Sequence, residues 1–221
     1  MPLSRIGPFI LALAGATPLA AQSLTAPNAW QWRTDQPARL VATGDSVGAR
    51  RDAFWFVAMP PGFHLTMGPG GVLYHPEVTA SGRFTVESEQ FCFPETGTNT
   101  EYGLALGGRR LDGAAEWISF VLRGDGHAAV LRQTGTQAAP VRVWQPGSSV
   151  VARRADGAVR NVLRVVVGDT LVRFQVNGAD VAQLPRRGLA LEGIVGLRAG
   201  AGANLHVTSL DVTRHTAPAR P

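Results

Sequence analysis

Removing a 21-residue export signal from the 221-residue chain leaves 200 residues, a usual length for one β-sandwich or barrel domain. With 45% apolar and 17% charged residues the chain can build a core and is too uncharged for a disordered protein; 26 glycines and 15 prolines without a Gly-X-Y period exclude collagen and indicate many turns. The formal charge of +5 falls to +4 once Arg5 is lost, every basic residue is arginine, and pairs such as Arg109-Arg110 and Arg186-Arg187 lie near turns rather than in one stripe, which argues against a nucleic-acid partner.

The N-terminus reads as a secretory signal over residues 1–21. Arg5 supplies the positive region, Ile6 to Leu19 the apolar stretch, and Ala20-Ala21 a small-residue cleavage site before Gln22. Pro8, Gly15 and Pro18 interrupt that stretch, it is shorter than the roughly 20 apolar residues of a membrane span, and no later segment competes, so no membrane span is expected. The mature chain is therefore expected in the bacterial periplasm or outside the cell. Cys92 is the single cysteine, which excludes an internal disulfide.

From Phe54 onward the apolar pattern has period two, with turn residues every eight to twelve positions, the pattern of an all-β fold with two antiparallel sheets in a sandwich. No helix of ordinary length is visible. Phe54 to Ala58 forms the first clear strand, after a segment holding Trp30 and Trp32. Phe63 to Met67 and Val72 to His75 read as a hairpin across Gly68-Pro69-Gly70-Gly71. Strands follow at Arg83 to Phe93, Tyr102 to Leu106, Trp117 to Arg123, Ala128 to Gln133 and Val141 to Trp144, with Gly124-Asp125-Gly126 as one turn. Val162 to Val167, Leu171 to Val176 and Val181 to Leu184 are separated by Gly168-Asp169 and by Asn177-Gly178, a strong hairpin signal. Ile194 to Leu197 and Leu205 to Val212 close the fold. The single sandwich domain is expected over residues 22–213, with a disordered tail at 214–221. Alternation assigns Phe84, Val86, Phe120, Leu122, Leu163, Val165, Phe174, Val176, Val195 and Leu197 to the core between the sheets.

The run Asn161-Val162-Leu163-Arg164-Val165, followed by Val172 to Gly178 and by Gly193-Ile194-Val195-Gly196-Leu197-Arg198, resembles the C-terminal half of concanavalin A-like jelly rolls. In laminin-G-like and 3-keto-disaccharide-hydrolase-like members, a strand ending in Val-Asn-Gly precedes a Gly-x-x-Gly-Leu strand. Pro60-Pro61-Gly62-Phe63-His64 and Tyr74-His75-Pro76 extend the resemblance over most of the mature chain. The resemblance implies two stacked sheets and an outer face that can form a groove for extended sugars. These motifs are largely structural, a hairpin turn and close strand approaches, so they bear on fold more than on chemistry.

Alternation then nominates side chains for such a groove. On one strand Glu87 and Glu89 turn away from the core; on another, Trp117 and Arg123 do. Residues two apart on a strand are about 6.5 to 7 Å apart at Cα. Flexible Glu side chains could then reach the roughly 6.5 to 9.5 Å of an inverting glycosidase or the about 5 to 5.5 Å of a retaining one. The competing reading is a solvated acidic face paired with arginine across the sheet. If the Gly68 to Gly71 turn centres between Pro69 and Gly70, His64 stands opposite His75 with Cβ atoms about 4.5 to 5.5 Å apart. Two imidazoles are half of a zinc site, but no third His or Cys lies at diagnostic spacing and Glu77 is the only carboxylate nearby in sequence, so the pair is assigned to ligand binding and no metal or other cofactor is expected.

There is no Gly-x-Ser-x-Gly elbow, no His-Glu-x-x-His and no phosphate-cradling loop. Cys92 shares parity with Phe84 and Val86 and reads as a buried small hydrophobe. The preferred function is an exported recognition module for a carbohydrate or another cell-envelope ligand. The alternative is a carbohydrate-active hydrolase using Glu87 and Glu89, and a structural domain without a sugar ligand is a third reading.

Overall fold

The computed structural model describes residues 27–41 and 51–215. The expected signal over 1–21 lies outside the described residues, as does the tail beyond His215. The described residues contain fifteen strands and no helix: β1 (Gln31–Thr34), β2 (Arg39–Leu40), β3 (Ala53–Ala58), β4 (Phe63–Met67), β5 (Gly71–Ala80), β6 (Arg83–Cys92), β7 (Glu101–Arg109) and β8 (Glu116–Arg123) come first. β9 (His127–Thr134), β10 (Gln137–Pro146), β11 (Val159–Val167), β12 (Leu171–Val176), β13 (Ala179–Pro185), β14 (Gly193–Ala199) and β15 (Asn204–His215) complete them. They form a seven-stranded sheet in the order β1-β5-β14-β7-β8-β9-β10 and an eight-stranded sheet in the order β13-β12-β11-β6-β15-β4-β3-β2. The pairing is antiparallel throughout except between the short β2 and β3, which run parallel. This is a jelly-roll β-sandwich.

Alternating burial along β11 and β12, and in the middle of β6, turns one face of the eight-stranded sheet inward; β7, β8 and β14 are buried almost throughout, because small apolar clusters also cover the outer face of the seven-stranded sheet. All ten residues assigned to the core by alternation are at most 1% exposed. Phe120 of one sheet meets Phe174 of the other edge to face, with centroids 5.3 Å apart. The turn between β12 and β13 forms as expected, with Asn177 and Gly178 both left-handed (φ 50° and 84°), the conformation that matches strand twist in a two-residue hairpin.

One polar network runs through this apolar interior. Asn161 on β11 is fully buried; its amide Nδ2 donates to the Tyr102 hydroxyl (3.0 Å) and the Val151 carbonyl (3.0 Å). Its Oδ1 accepts from the Val151 N–H (2.9 Å) and from Asn177 Nδ2 (2.9 Å), so every hydrogen-bonding capacity of the side chain is used. A second polar tie fixes the N-terminal edge strand. Arg198 on β14, 8% exposed, forks both Nη atoms onto the Asp35 carboxylate at 2.8 Å each and donates Nε–H to Glu101 Oε1 at 2.8 Å.

Two expectations are corrected. The Gly68 to Gly71 segment does not make a hairpin: β4 pairs with β3 and β15 in one sheet, β5 with β1 and β14 in the other. The corner's backbone groups are taken by other segments, Met67 N–H by the Ala203 carbonyl, Gly68 N–H by Ala53, and the Gly70 carbonyl by Asp35 N–H, so β4 and β5 diverge into different layers. His64 therefore stands opposite His206 and not opposite His75. Secondly, β15 continues through Thr213, Arg214 and His215, because the ten-residue β6 offers pairing positions as far as Arg83.

His64 packs against Trp55 and Phe93 (centroids 5.1 and 5.2 Å) and 6.1 Å from His206, and its Nε2–H donates to Asn204 Oδ1 at 2.9 Å. Burial among these rings holds the imidazole's pKa below its ordinary value of 6.5.

Phe174→Ala should cost about 3–5 kcal/mol from lost burial and the cavity left behind. Asn161→Ala should cost about 2–4 kcal/mol because it strands the Tyr102 hydroxyl, both Val151 main-chain groups and the Asn177 amide. Urea unfolding midpoints check both. Because folded His64 binds a proton less readily than the unfolded chain, its contribution is fully present above pH 6.5 and is lost as pH falls through the lowered folded value. Melting scans between about pH 8 and 5 should show the loss, and His64→Gln should flatten it.

Candidate functional site

Glu87 and Glu89 project from the outer face of the eight-stranded sheet, where β6 lies between β11 and β15. Glu87 is opposite Arg164 on β11, with Oε2 3.7 Å from Arg164 Nε, and opposite Asp211 on β15. Glu89 forms an ion pair with Arg160. This is the cross-strand acid–arginine arrangement of a solvated face.

Trp117 and Arg123 project from the seven-stranded sheet, on the far side of the sandwich. The inward sets of β6 and β8 face each other across the core, so their outward sets point in opposite directions, and the acids and the tryptophan share no groove. Trp117 leaves the main core as alternation predicts but is only 3% exposed: it packs with Val72, Tyr74, Ala105, Leu111 and Ala115, and its Nε1–H donates to Ser119 Oγ at 2.9 Å. Arg123 lies 3.9 Å above the ring of Trp144, which caps Val121, Ala129 and Leu131.

His75 reaches a groove of about 470 Å³ lined by Trp30, Phe63, His75, Glu77, Val78 and Leu210. Trp30, just before β1, is wedged against Phe63 (4.8 Å) and Phe56 (5.2 Å) and stands 6.4 Å from the His75 ring. The Glu77 backbone N–H donates to His75 Nδ1 at 3.2 Å, which leaves the neutral ring's proton on Nε2 as a donor. The Glu77 carboxylate is exposed and has no partner among the described residues. The groove thus combines an aromatic wall, one ring N–H donor and one free carboxylate. Sequence reasoning picked out His75 but not Trp30, Phe63 or Leu210, which come from three separate strands or loops and carry no shared motif. Glu77 stands out in the sequence only as the carboxylate near His75; period-two alternation does not place it, because between Tyr74 and Thr79 the register of β5 with β14 shifts, and Pro76 sits in that irregular stretch.

A second opening of about 340 Å³ lies where the C-terminal ends of β7 and β9 meet the start of β8, with Gly188 and Ala190 across from them. Arg109, Glu116, Trp117, Arg132, Gln133 and Thr134 supply its side chains. Both volumes fall within the range of about 300–1,000 Å³ typical of small-molecule sites. Among the described residues, no cluster of three or more His, Cys, Asp or Glu side chains is placed to hold a metal ion, and no helix is long and apolar enough to cross a membrane. Cys92 is fully buried, and burial pushes its thiol pKa up.

No family model matches the chain, and no curated protein matches it in sequence. Among solved structures it is similar to the carbohydrate-binding module CBM66 from Bacillus subtilis, with 10% identity and a TM-score of 0.60 over 86% of this chain and 97% of that one. It is also similar to a GH16 protein of the Bacteroides ovatus mixed linkage glucan locus, determined with a G4G4G3G product, at 9% identity and TM-score 0.50 over 86% and 97% of the two chains. A Bacillus subtilis protein of unknown function with a galectin-like fold matches at 12% identity and TM-score 0.50 over 68% and 81%. At these identities the likeness is one of fold alone, the jelly-roll sandwich.

Proposed function

We propose that this chain is an exported carbohydrate-binding module that holds a sugar ring in the groove of Trp30, His75 and Glu77. The observation that carries the reading is the meeting of an indole, an imidazole N–H donor and an unpartnered carboxylate in one open groove. A pyranose offers a face of C–H groups that suits the electron-rich face of an aromatic ring, and a rim of hydroxyls that both donate and accept. A carboxylate accepts from such hydroxyls, and the His75 Nε2–H donates to one. The jelly-roll fold, shared with a protein named as a carbohydrate-binding module, is in keeping with this ligand class. Export rests on the tripartite signal read over residues 1–21, and N-terminal sequencing of periplasmic material should find a mature chain starting near Gln22.

The alternative, a glycoside hydrolase acting through Glu87 and Glu89, requires both carboxylates to leave Arg164 and Arg160 on an open sheet face. A glycan array on the mature chain, followed by calorimetry and a hydrolysis screen on each hit, separates the two. Binding without turnover is expected. Trp30→Ala should weaken binding at least about tenfold, the loss of one good stacking contact of roughly 1.4 kcal/mol. Glu77→Gln, at an exposed position where folding is not at stake, should weaken it without moving the melting temperature. Glu87→Gln and Glu89→Gln should leave affinity unchanged. Cleavage by the wild type that either of these last two changes abolishes would establish the hydrolase instead.

A further inference from the structure

The second opening differs from the groove in charge. Arg109, Arg132 and one acid, Glu116, line it; Glu116 stands opposite Arg109 in the β7–β8 register but is taken by Arg110, whose Nη2 is 2.6 Å from its Oε1, and the Glu192 carboxylate is taken by Arg186 at 2.7 Å. The two lining arginines, Arg109 and Arg132, have no carboxylate partner among the described residues. Each is held instead by a main-chain carbonyl. Arg132 Nη2 donates to Gly188 O at 2.6 Å, and Arg109 donates from Nε and Nη2 to Glu192 O at 3.4 Å. A guanidinium carries five N–H donors in a fixed fork, so both keep donors to spare. The wall they face is set in place: Gly107 is left-handed (φ 66°), and a Cβ there would stand 2.1 Å from the Ala190 carbonyl, so only glycine lets residues 188–190 lie this close to β7.

We propose that this cleft binds the carboxylate of an acidic sugar, a uronic acid residue, between Arg109 and Arg132. Two guanidiniums without a carboxylate partner, against one lining carboxylate already paired with Arg110, attract an anion, and the planar fork matches a carboxylate. The remaining lining decides for a sugar acid over a bare inorganic anion: beside the edges of the buried Trp117 and Gln133 stand the exposed Thr134 hydroxyl and the Glu116 carboxylate, an acceptor that sugar hydroxyls can use and a bare anion cannot. The inference rests on the carbohydrate-binding reading for its ligand class, but on a different site from the groove.

The test uses the mature chain and trimers of galacturonate, glucuronate and mannuronate, each alongside its methyl ester, which keeps the sugar and removes the charge. At least one acid trimer should bind, at least about tenfold tighter than its ester, with an affinity that falls as salt is added. Arg109→Gln, on an exposed side chain, and Arg132→Gln should each weaken the acid about tenfold and leave the ester unchanged. Trp30→Ala should leave acid binding intact. The inference is overturned if no acid trimer binds, if acid and ester bind alike, if neither arginine change matters, or if inorganic phosphate competes as well as the sugar acid does. Any of these results with neutral-sugar binding still lost in Trp30→Ala leaves the groove reading standing; failure of the groove with the arginine effects present leaves this one standing.

Discussion

The arrangement of this molecule depends on one buried amide. Asn161 sits on β11 inside an otherwise apolar interior and reaches four partners that belong to different parts of the chain: Tyr102 on β7 in the opposite sheet, both main-chain groups of Val151 in the long β10–β11 connection, and the β12–β13 turn through Asn177. Apolar burial is indifferent to small shifts of one sheet over the other, because a sliding side chain finds another apolar neighbour. A fully buried amide is not indifferent, since displacement leaves several groups without partners at once. The network therefore fixes how the two sheets are stacked. It is also why Asn161 and Asn177-Gly178 stand out as a motif while taking no part in either opening.

How far the fold could be read from the sequence follows from what periodicity encodes. Alternation reports which face of a strand is buried, and for Phe84, Phe120, Phe174 and their companions that was sufficient. It does not report which sheet a strand joins. Phe63 to Met67 and Val72 to His75 look like a hairpin because a glycine-rich turn separates two alternating runs, yet the hydrogen bonds that send them into different layers come from Ala53, Ala203 and Asp35, all distant in sequence. The misplaced pairing of His64 with His75 has the same origin. So does the expectation that Glu87, Glu89 and Trp117 line one groove: each was correctly turned away from the core, but away from the core points in two opposite directions in a two-layer structure.

The openings illustrate the same limit. Both are assembled by contacts between segments far apart in the chain, as when Trp30 meets Phe63 or Arg132 meets Gly188. In each, the wall is set by residues that make none of the proposed ligand contacts. The Asp35–Arg198–Glu101 cluster secures the edge strand that carries Trp30 into position, and a glycine on β7 lets residues 188–190 close in on the other cleft. Rigidity of this kind lowers the ordering cost of taking a ligand.

The position of β15 bears on how the chain reaches this structure. It is the last strand in chain order, yet it lies inside the eight-stranded sheet, between β6 and β4, and its bonds to β4 join residues 140 apart, as in His64 to Asn204. Until β15 is in place, β6 and β4 each present an open edge, and the β2-β3-β4 portion has no connection to the rest of its sheet. Strand pairing over such separations closes large loops and is slow. During synthesis the sheet thus stays in two pieces until the final strand is available. That interval is when the chain is most exposed to aggregation through its unpaired edges, and when a chaperone that covers strands would have most effect.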